Sequence, residues 1–309
     1  MSTTEMRKVL REELEKYMSE NENIVVIDAD LSKANGLFDL RKKFPDRAFD
    51  VGIAEQNMAC IAAGMSSYGF IPFISTFTPF ATRRICDQIA ISICYAKQNV
   101  KIIGTDPGIC AELNGGTHMS VEDIGVLRSI PDIVIFEPAD ATALKKALPE
   151  IIKYQGPVYM RMPRKNREDV YSDEDIFDLF SAYHVKEGKD VSIFCSGIMV
   201  SETIKANEIL EQKGISADIY DIHTVKPIDK ESIIKSARIT NKVVTVENHN
   251  VVGGLYSAVA EVLSNNYPVK ISHIGIEDRF GQVGKIDYLK EEYKMTANDI
   301  VLAVENILK

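Results

Sequence analysis

The sequence predicts an α/β protein made of two doubly wound, three-layer domains, the first built on a mostly parallel sheet. Three observations carry that prediction. Short β-branched runs alternate with longer helical runs along the chain, as strand–helix units around a parallel sheet do. The alternation breaks between Lys165 and Asp190, where NREDVYSDEDIFDLF and KEGKD are dense in charge, and then resumes. With 309 residues, 45% of them hydrophobic, the chain is long enough for two ordinary cores. The expected division is a first domain over 1–168, a linker over 169–186 and a second domain over 187–309.

Taken in order, residues 4–19 carry the spacing of an amphipathic helix, and IVVID (Ile24 to Asp28) reads as a strand. AEQNMACIAAGMSSYG, PFISTF, the helix-like PFATRRICDQIAISICYAK and VKIIGTD follow. SIPDIVIFEP, a helix from Ala141 to about Tyr154, and PVYMRMP complete the first half. Beyond the linker, VSIFCSGIMV reads as a strand, SETIKANEILEQKG as a helix ending in glycine, and ADIYDIHTV as a strand. IDKESIIKSARI, KVVTVEN, GGLYSAVAEVLSNN and VKISHIGI continue the alternation, and TANDIVLAVENILK closes it as a helix. Asp229 before one helix and Gly214 after another are the expected capping residues.

Composition narrows the function. A net charge of −9 and a pI near 5.2, with dispersed basic residues, argue against a nucleic-acid partner. The charged N-terminus has no signal-peptide core, and no apolar run is long enough to span a membrane. Five cysteines without CxxC spacing read as reduced thiols of a cytoplasmic protein.

Three segments stand out chemically. DVGIAEQNM sets Glu55 among apolar neighbours, where a buried carboxyl would hold its proton more tightly than usual. STFTPF places Phe77 and Phe80 three apart across a proline, in a loop after a strand. AELNGGTHM gathers Asn114 and His118 around a flexible Gly-Gly pair. Singly, each has a plainer reading: a solvent-facing helix-start glutamate, core aromatics, a structural histidine.

Together and in this order they resemble the pyrimidine-binding domain of transketolases. DADL, GIAEQNM, STFTPF, GGTHMSVEDIGVLRSIP and GPVYMRMPR all have counterparts there. The second half, with VENHNVVGGLYSAV and DRFGQVG, is similar to the family's C-terminal domain, so the resemblance spans the whole chain. It implies thiamine diphosphate as cofactor, with Glu55 sharing a proton with N1′ of its aminopyrimidine and Phe77 and Phe80 packed against that ring. It implies that His118 meets the reacting hydroxyls, that Asp28 lies in the substrate site, and that Arg7 and Arg164 grip a sugar phosphate. Glu247, His249, Gly253 and Gly254 are assigned to packing and interface.

The GDG segment by which the family binds the diphosphate through Mg2+ or Ca2+ is absent, and residue 1 falls at the start of the pyrimidine domain. The resemblance therefore implies a split transketolase: an N-terminal partner carrying GDG holds the metal, and this chain dimerises within a heterotetramer. Its expected reaction moves a two-carbon ketol unit from a ketose or ketose phosphate to an aldose. Four positions depart from the family: Asp106 for a histidine, Asn114 for an aspartate, Met119 for a glutamine and Arg83 for a tyrosine near the pyrimidine. Asp106 would repel a phosphate dianion, which puts the usual sugar phosphates in doubt. A 1-deoxyxylulose-5-phosphate synthase-like chain, the β subunit of a 2-oxo-acid dehydrogenase and a non-catalytic interaction subunit are the alternatives.

Overall fold

The computed structural model describes residues 4–309. Its first sheet has seven strands: β1 (Ile24–Asp28), β2 (Ala48–Asp50), β3 (Ile71–Phe77), β4 (Lys101–Thr105), β5 (Val134–Phe136), β6 (Val158–Met162) and one from the second half of the chain. The second sheet has five: β7 (Tyr183–Lys186), β8 (Val191–Cys195), β9 (Ala217–Asp221), β11 (Lys242–Asn250) and β12 (Lys270–Ile276). The remaining strand, β10 (Thr224–Lys226), crosses from the second half to pair antiparallel with β5 at the edge of the first sheet. The orders are β10-β5-β6-β4-β3-β1-β2 and β12-β11-β8-β9-β7. Every pairing but those of β10 and β7 is parallel. Both domains are thus α/β and mostly parallel.

Helices cover both faces of each sheet, so the central strands are buried on both sides and read as unbroken apolar runs rather than alternations. IVVID is buried at all five positions. On one face of the first sheet, Leu10, Leu14 and Met18 of the Met6–Glu20 helix meet Leu144, Leu148 and Ile151 of the Ala141–Lys153 helix. On the other, Met58 and Ala62 of the Glu55–Ser67 helix pack with Ile89 and Ile93. Around the second sheet, the Met199–Gln212 and Ala297–Leu308 helices share one face, and Lys230–Thr240 and Leu255–Asn266 the other. Asp229 caps its helix by accepting from Ser232 N, and Gly214 follows its helix at φ +76°.

Four segments differ from the sequence reading. The helix-like run after Phe77 is broken into Thr78–Ala81, a 3-10 turn at Arg83–Ile85 and a π-helix at Gln88–Tyr95. Its β-branched Thr and Ile residues lower the propensity for a regular α-helix, whereas Pro79 lies in the first turn, where proline is tolerated. VSIFCSGIMV is a strand only to Cys195; the chain then turns at Gly197 (φ +54°), and a helix starts at Met199. ADIYDIHTV is two strands on different sheets, β9 and β10. The end of the segment read as linker, Tyr183–Lys186, is the antiparallel edge strand β7. No helix among the described residues is long and apolar enough to cross a membrane.

Candidate active site

From β1 the chain runs outward to β2, then returns to β3 on the other side of β1. The carboxyl ends of β1 and β3 therefore flank a switch point, where α/β sheets open a crevice. Asp28 ends β1, Phe77 ends β3, Asp106 follows β4, Arg164 follows β6, and Glu55 opens the helix after β2. Phe77 is thus a strand residue and Phe80 belongs to the short helix beyond it, rather than both lying in a loop.

Glu55 is 4% exposed. Its Oε1 accepts from Arg84 Nη1 at 2.7 Å, and the same guanidinium lies 3.7 Å over the Phe80 ring centroid. Phe77 and Phe80 sit 6.1 Å apart at 39°, and the His118 ring meets both edge-on at 5.9 and 5.4 Å. His118 Nδ1 is 2.9 Å from Thr117 Oγ1. The second domain holds this loop in place: a Cβ on Gly116 would come within 2.4 Å of Gly281 O, and one on Gly281 within 2.4 Å of Met119 Sδ. Glycine at both positions lets GGTHM and DRFGQVG approach closely, with the Gly281 carbonyl against Gly116 and the Met119 side chain against Gly281. Met119 is buried in that contact.

The structure does not bring Arg83 to the aromatic pair; Arg83 pairs with Glu122 at 2.7 Å, and the place beside the ring is taken by Arg84. Asn114 ends a 3-10 segment and is exposed on the His118 loop.

Next to Phe77 lies a second group. Arg164 stacks over that ring at 4.7 Å and is bound to Asp106: its Nε is 2.6 Å from Oδ2, and its backbone N donates to Oδ1 at 2.8 Å. Asp106 sits in the left-handed region at φ +54°. Arg7 N donates to Arg164 O at 3.1 Å, and the Arg7 side chain donates to Glu5 at 3.0 and 3.1 Å.

Asp28 is 2% exposed; its Oδ1 accepts from Leu31 N at 2.5 Å, while Oδ2 has no hydrogen-bond partner among the described residues. Burial pushes its pKa up to about 7 against the pull of the Leu31 N–H, with Asp50 raising it further. Beside it, Asn35 Nδ2 donates to Ser75 Oγ, and Thr105 Oγ1 donates to Asn35 Oδ1, both at 2.9 Å and buried. Glu5, Asn35 and Arg84 were missed in the sequence. Only Arg84 left a signal there, as one of two adjacent arginines three and four residues after Phe80.

Two family models cover most of the chain: the transketolase pyrimidine-binding domain at residues 2–168 and the transketolase C-terminal domain at 181–300. The chain is 47% identical over 292 residues to a 6-deoxy-6-sulfo-D-fructose transketolase subunit of Clostridium sp. (strain MSTE9), covering 94% of this chain and 91% of that protein. It is 35% identical over 273 residues to an apulose-4-phosphate transketolase subunit of Phocaeicola vulgatus, covering 88% and 87%. A solved structure described as a split-gene transketolase, inactive beta4 tetramer, superposes with a TM-score of 0.90 at 42% identity over 99% of both chains. With matching sequence models over both domains and a matching fold, the chain belongs to the transketolase family.

Proposed function

We propose that this chain is the C-terminal subunit of a split, cytoplasmic transketolase. It would move a two-carbon ketol unit from a ketose donor with an anionic far end to an aldose acceptor. The observation that carries this reading is the Arg84 guanidinium: a flat cation hydrogen-bonded to a buried carboxylate and laid on an aromatic face. An aminopyrimidine, also flat and able to take a proton from Glu55, needs the same two handles, so these residues fit thiamine diphosphate. The related subunits named for 6-deoxy-6-sulfo-D-fructose and apulose-4-phosphate support an anionic far end on the donor.

When bound, the cofactor supplies a carbon nucleophile and an electron sink for the ketose carbonyl. Glu55 shares a proton with its N1′, in a setting that water barely reaches. Phe77 and Phe80 orient the ring; offset aromatic packing adds about 0.5–1.5 kcal/mol beyond area burial. His118 faces the reacting hydroxyls, and Asp28 offers its unpartnered Oδ2 to a hydroxyl of the bound sugar. Arg7, Asp106, Asn114 and Arg164 line the substrate end. The diphosphate and its Mg2+ or Ca2+ belong to an N-terminal partner carrying a GDG motif. Two copies of each chain would form a heterotetramer about a two-fold axis. Exposed Ile91 and Tyr95 on the π-helix, and Ile53 and Tyr68 flanking the helix it packs on, suit such an interface.

The test mixes this chain with its partner. The chain alone should show no ketol transfer, the mixture should, and light scattering should report a heterotetramer. In the assembled complex Glu55→Gln, which cannot hold the proton, should lower kcat by about 10²–10⁴-fold with folding unchanged. Full activity of the chain alone, or of the Gln variant, defeats the proposal.

A further inference from the structure

The geometry points to a charge filter at the far end of the donor site: Asp106 and Glu5 set the Arg7–Arg164 cradle for a terminal group with a single negative charge, and against a dianion. This rests on the ketol-transfer reading above and adds the substrate's charge to it. The two cations already have matched anions. Arg164 is held by Asp106 through Nε and Nη2, each 2.6 Å from Oδ2. Arg7 is held by Glu5 through Nε and Nη2, at 3.0 and 3.1 Å, and its Nη1 donates to Ala34 O at 2.9 Å. Two arginines against two carboxylates leave a formal charge of zero. The Asp106 pair is the drier of the two, with side chains 6% and 17% exposed, so solvent screens it less.

Arg164 Nη1 also reaches Ala34 O, at 3.4 Å; each guanidinium has five N–H donors, and these bonds still leave donors free on both side chains. A tetrahedral oxyanion can accept from both arginines at once. With one charge it brings the cradle to −1; with two it adds a second negative charge close to the Asp106 carboxylate, which arginines already neutralised cannot balance. The position suits a donor's far end. The cradle adjoins Phe77 through Arg164, whereas Glu55 adjoins Phe80 through Arg84, and His118 touches both rings. A ketose reacting near His118 and Phe80 would reach the cradle with its last carbon.

The variant that isolates the charge is Asp106→Asn. Asparagine tolerates the left-handed backbone at this residue and keeps an oxygen for Arg164 N, so the loop is retained while one anion is removed. The complex with the partner would be assayed with three ketoses alike except at the last carbon, which carries a hydroxyl, a sulfonate or a phosphate. The pH would be about 8, where the phosphate is a dianion because its second pKa lies near 6. In wild type, kcat/KM for the sulfonate should exceed that for the phosphate by about tenfold or more, the scale of one charge interaction at a half-buried site. Asp106→Asn should cut that ratio by about tenfold, and Glu5→Gln, in the wetter pair, by less. A wild type that uses the phosphate as well as the sulfonate, or Asp106→Asn and Glu5→Gln variants that both leave the ratio within about twofold, overturns the inference. Transfer from the hydroxyl donor alone overturns it too, while leaving ketol transfer standing; no transfer from any donor removes both.

Discussion

Arg84 lies between the buried carboxylate and the aromatic face that a flat heterocycle would use. If the guanidinium competes for these handles, the competent state of the site is only part of the population, and apparent affinity is lowered by that fraction. Arg84→Ala in the assembled complex should therefore tighten cofactor binding, by up to about tenfold in calorimetry. An unchanged or weaker affinity would mean that Arg84 does not block the site. Asp28 yields a second expectation. Its folded pKa of about 7 lies above the ordinary aspartate value, so between about pH 4 and pH 7 the folded chain holds a proton that the unfolded chain has lost. The Asp28 contribution to stability therefore falls as pH rises through that window and is level above it. Asp28→Asn has no such titration. Urea unfolding should show the variant gaining on wild type from pH 4.5 to 8, by about 3 kcal/mol at most. A constant difference would place the titration elsewhere. Glu55 was legible in the sequence because a carboxylate among apolar residues precedes an aromatic pair and a Gly-Gly-Thr-His loop. Arg84 was not, because an irregular helix decides which of two neighbouring arginines turns inward, and no 3.6-residue rule applies across a 3-10 turn and a π-helix.

Between the two sheets the element that matters is β6. Its Arg161 is fully buried and donates to Asp123, Glu137 and the Asn248 carbonyl, while Tyr159 on the same strand donates to Asp123 at 2.8 Å. Burial alone would raise the Asp123 pKa; the Arg161 guanidinium outweighs it and holds the carboxyl below its usual range. His249 accepts from Ile124 N and Gly125 N at 3.1 and 3.3 Å, and burial pushes its pKa down to about 4, so the ring stays neutral. Glu247 receives the N–H groups of Leu255 and Tyr256 and caps that helix. The VENHNVVGG segment is thus interface and packing, as its sequence suggested, and its conspicuous polar residues are the β11 side of a buried network. Arg161→Met strands two buried carboxylates. It should cost about 3–5 kcal/mol and lower the unfolding midpoint of both domains together, since the network spans them. A calorimetric trace that splits into one shifted and one unshifted transition would contradict that. Strand positions were readable wherever an apolar run was a single strand, as for β1. They failed where a run continued through a buried turn. Gly197 shows why: a Cβ there would lie 2.2 Å from Glu137 Oε1, so the turn is packed against the network and keeps an apolar, strand-like sequence.

For the whole molecule, both domains and the α/β class followed from alternation and from one charged break, because each unit repeats the same local pattern. The crossing of β10 did not, since pairing with β5 joins Thr224 to Phe136 and Lys226 to Ile135, 88 and 91 positions apart, and strand register at that distance leaves no local mark. That crossing has a consequence for how the chain is made. A ribosome releases the N-terminal half first, and domains generally fold in that order. Here the first sheet stays unfinished until Lys226 has emerged, with the β5 edge bare and open to pairing with another nascent chain. A fragment of residues 1–186 should accordingly aggregate rather than fold, and light scattering of the expressed fragment checks it. A soluble monomeric fragment with cooperative melting would show that the edge protects itself. The three residues of β10 close that edge, so completion of the first sheet waits on the second half of the chain.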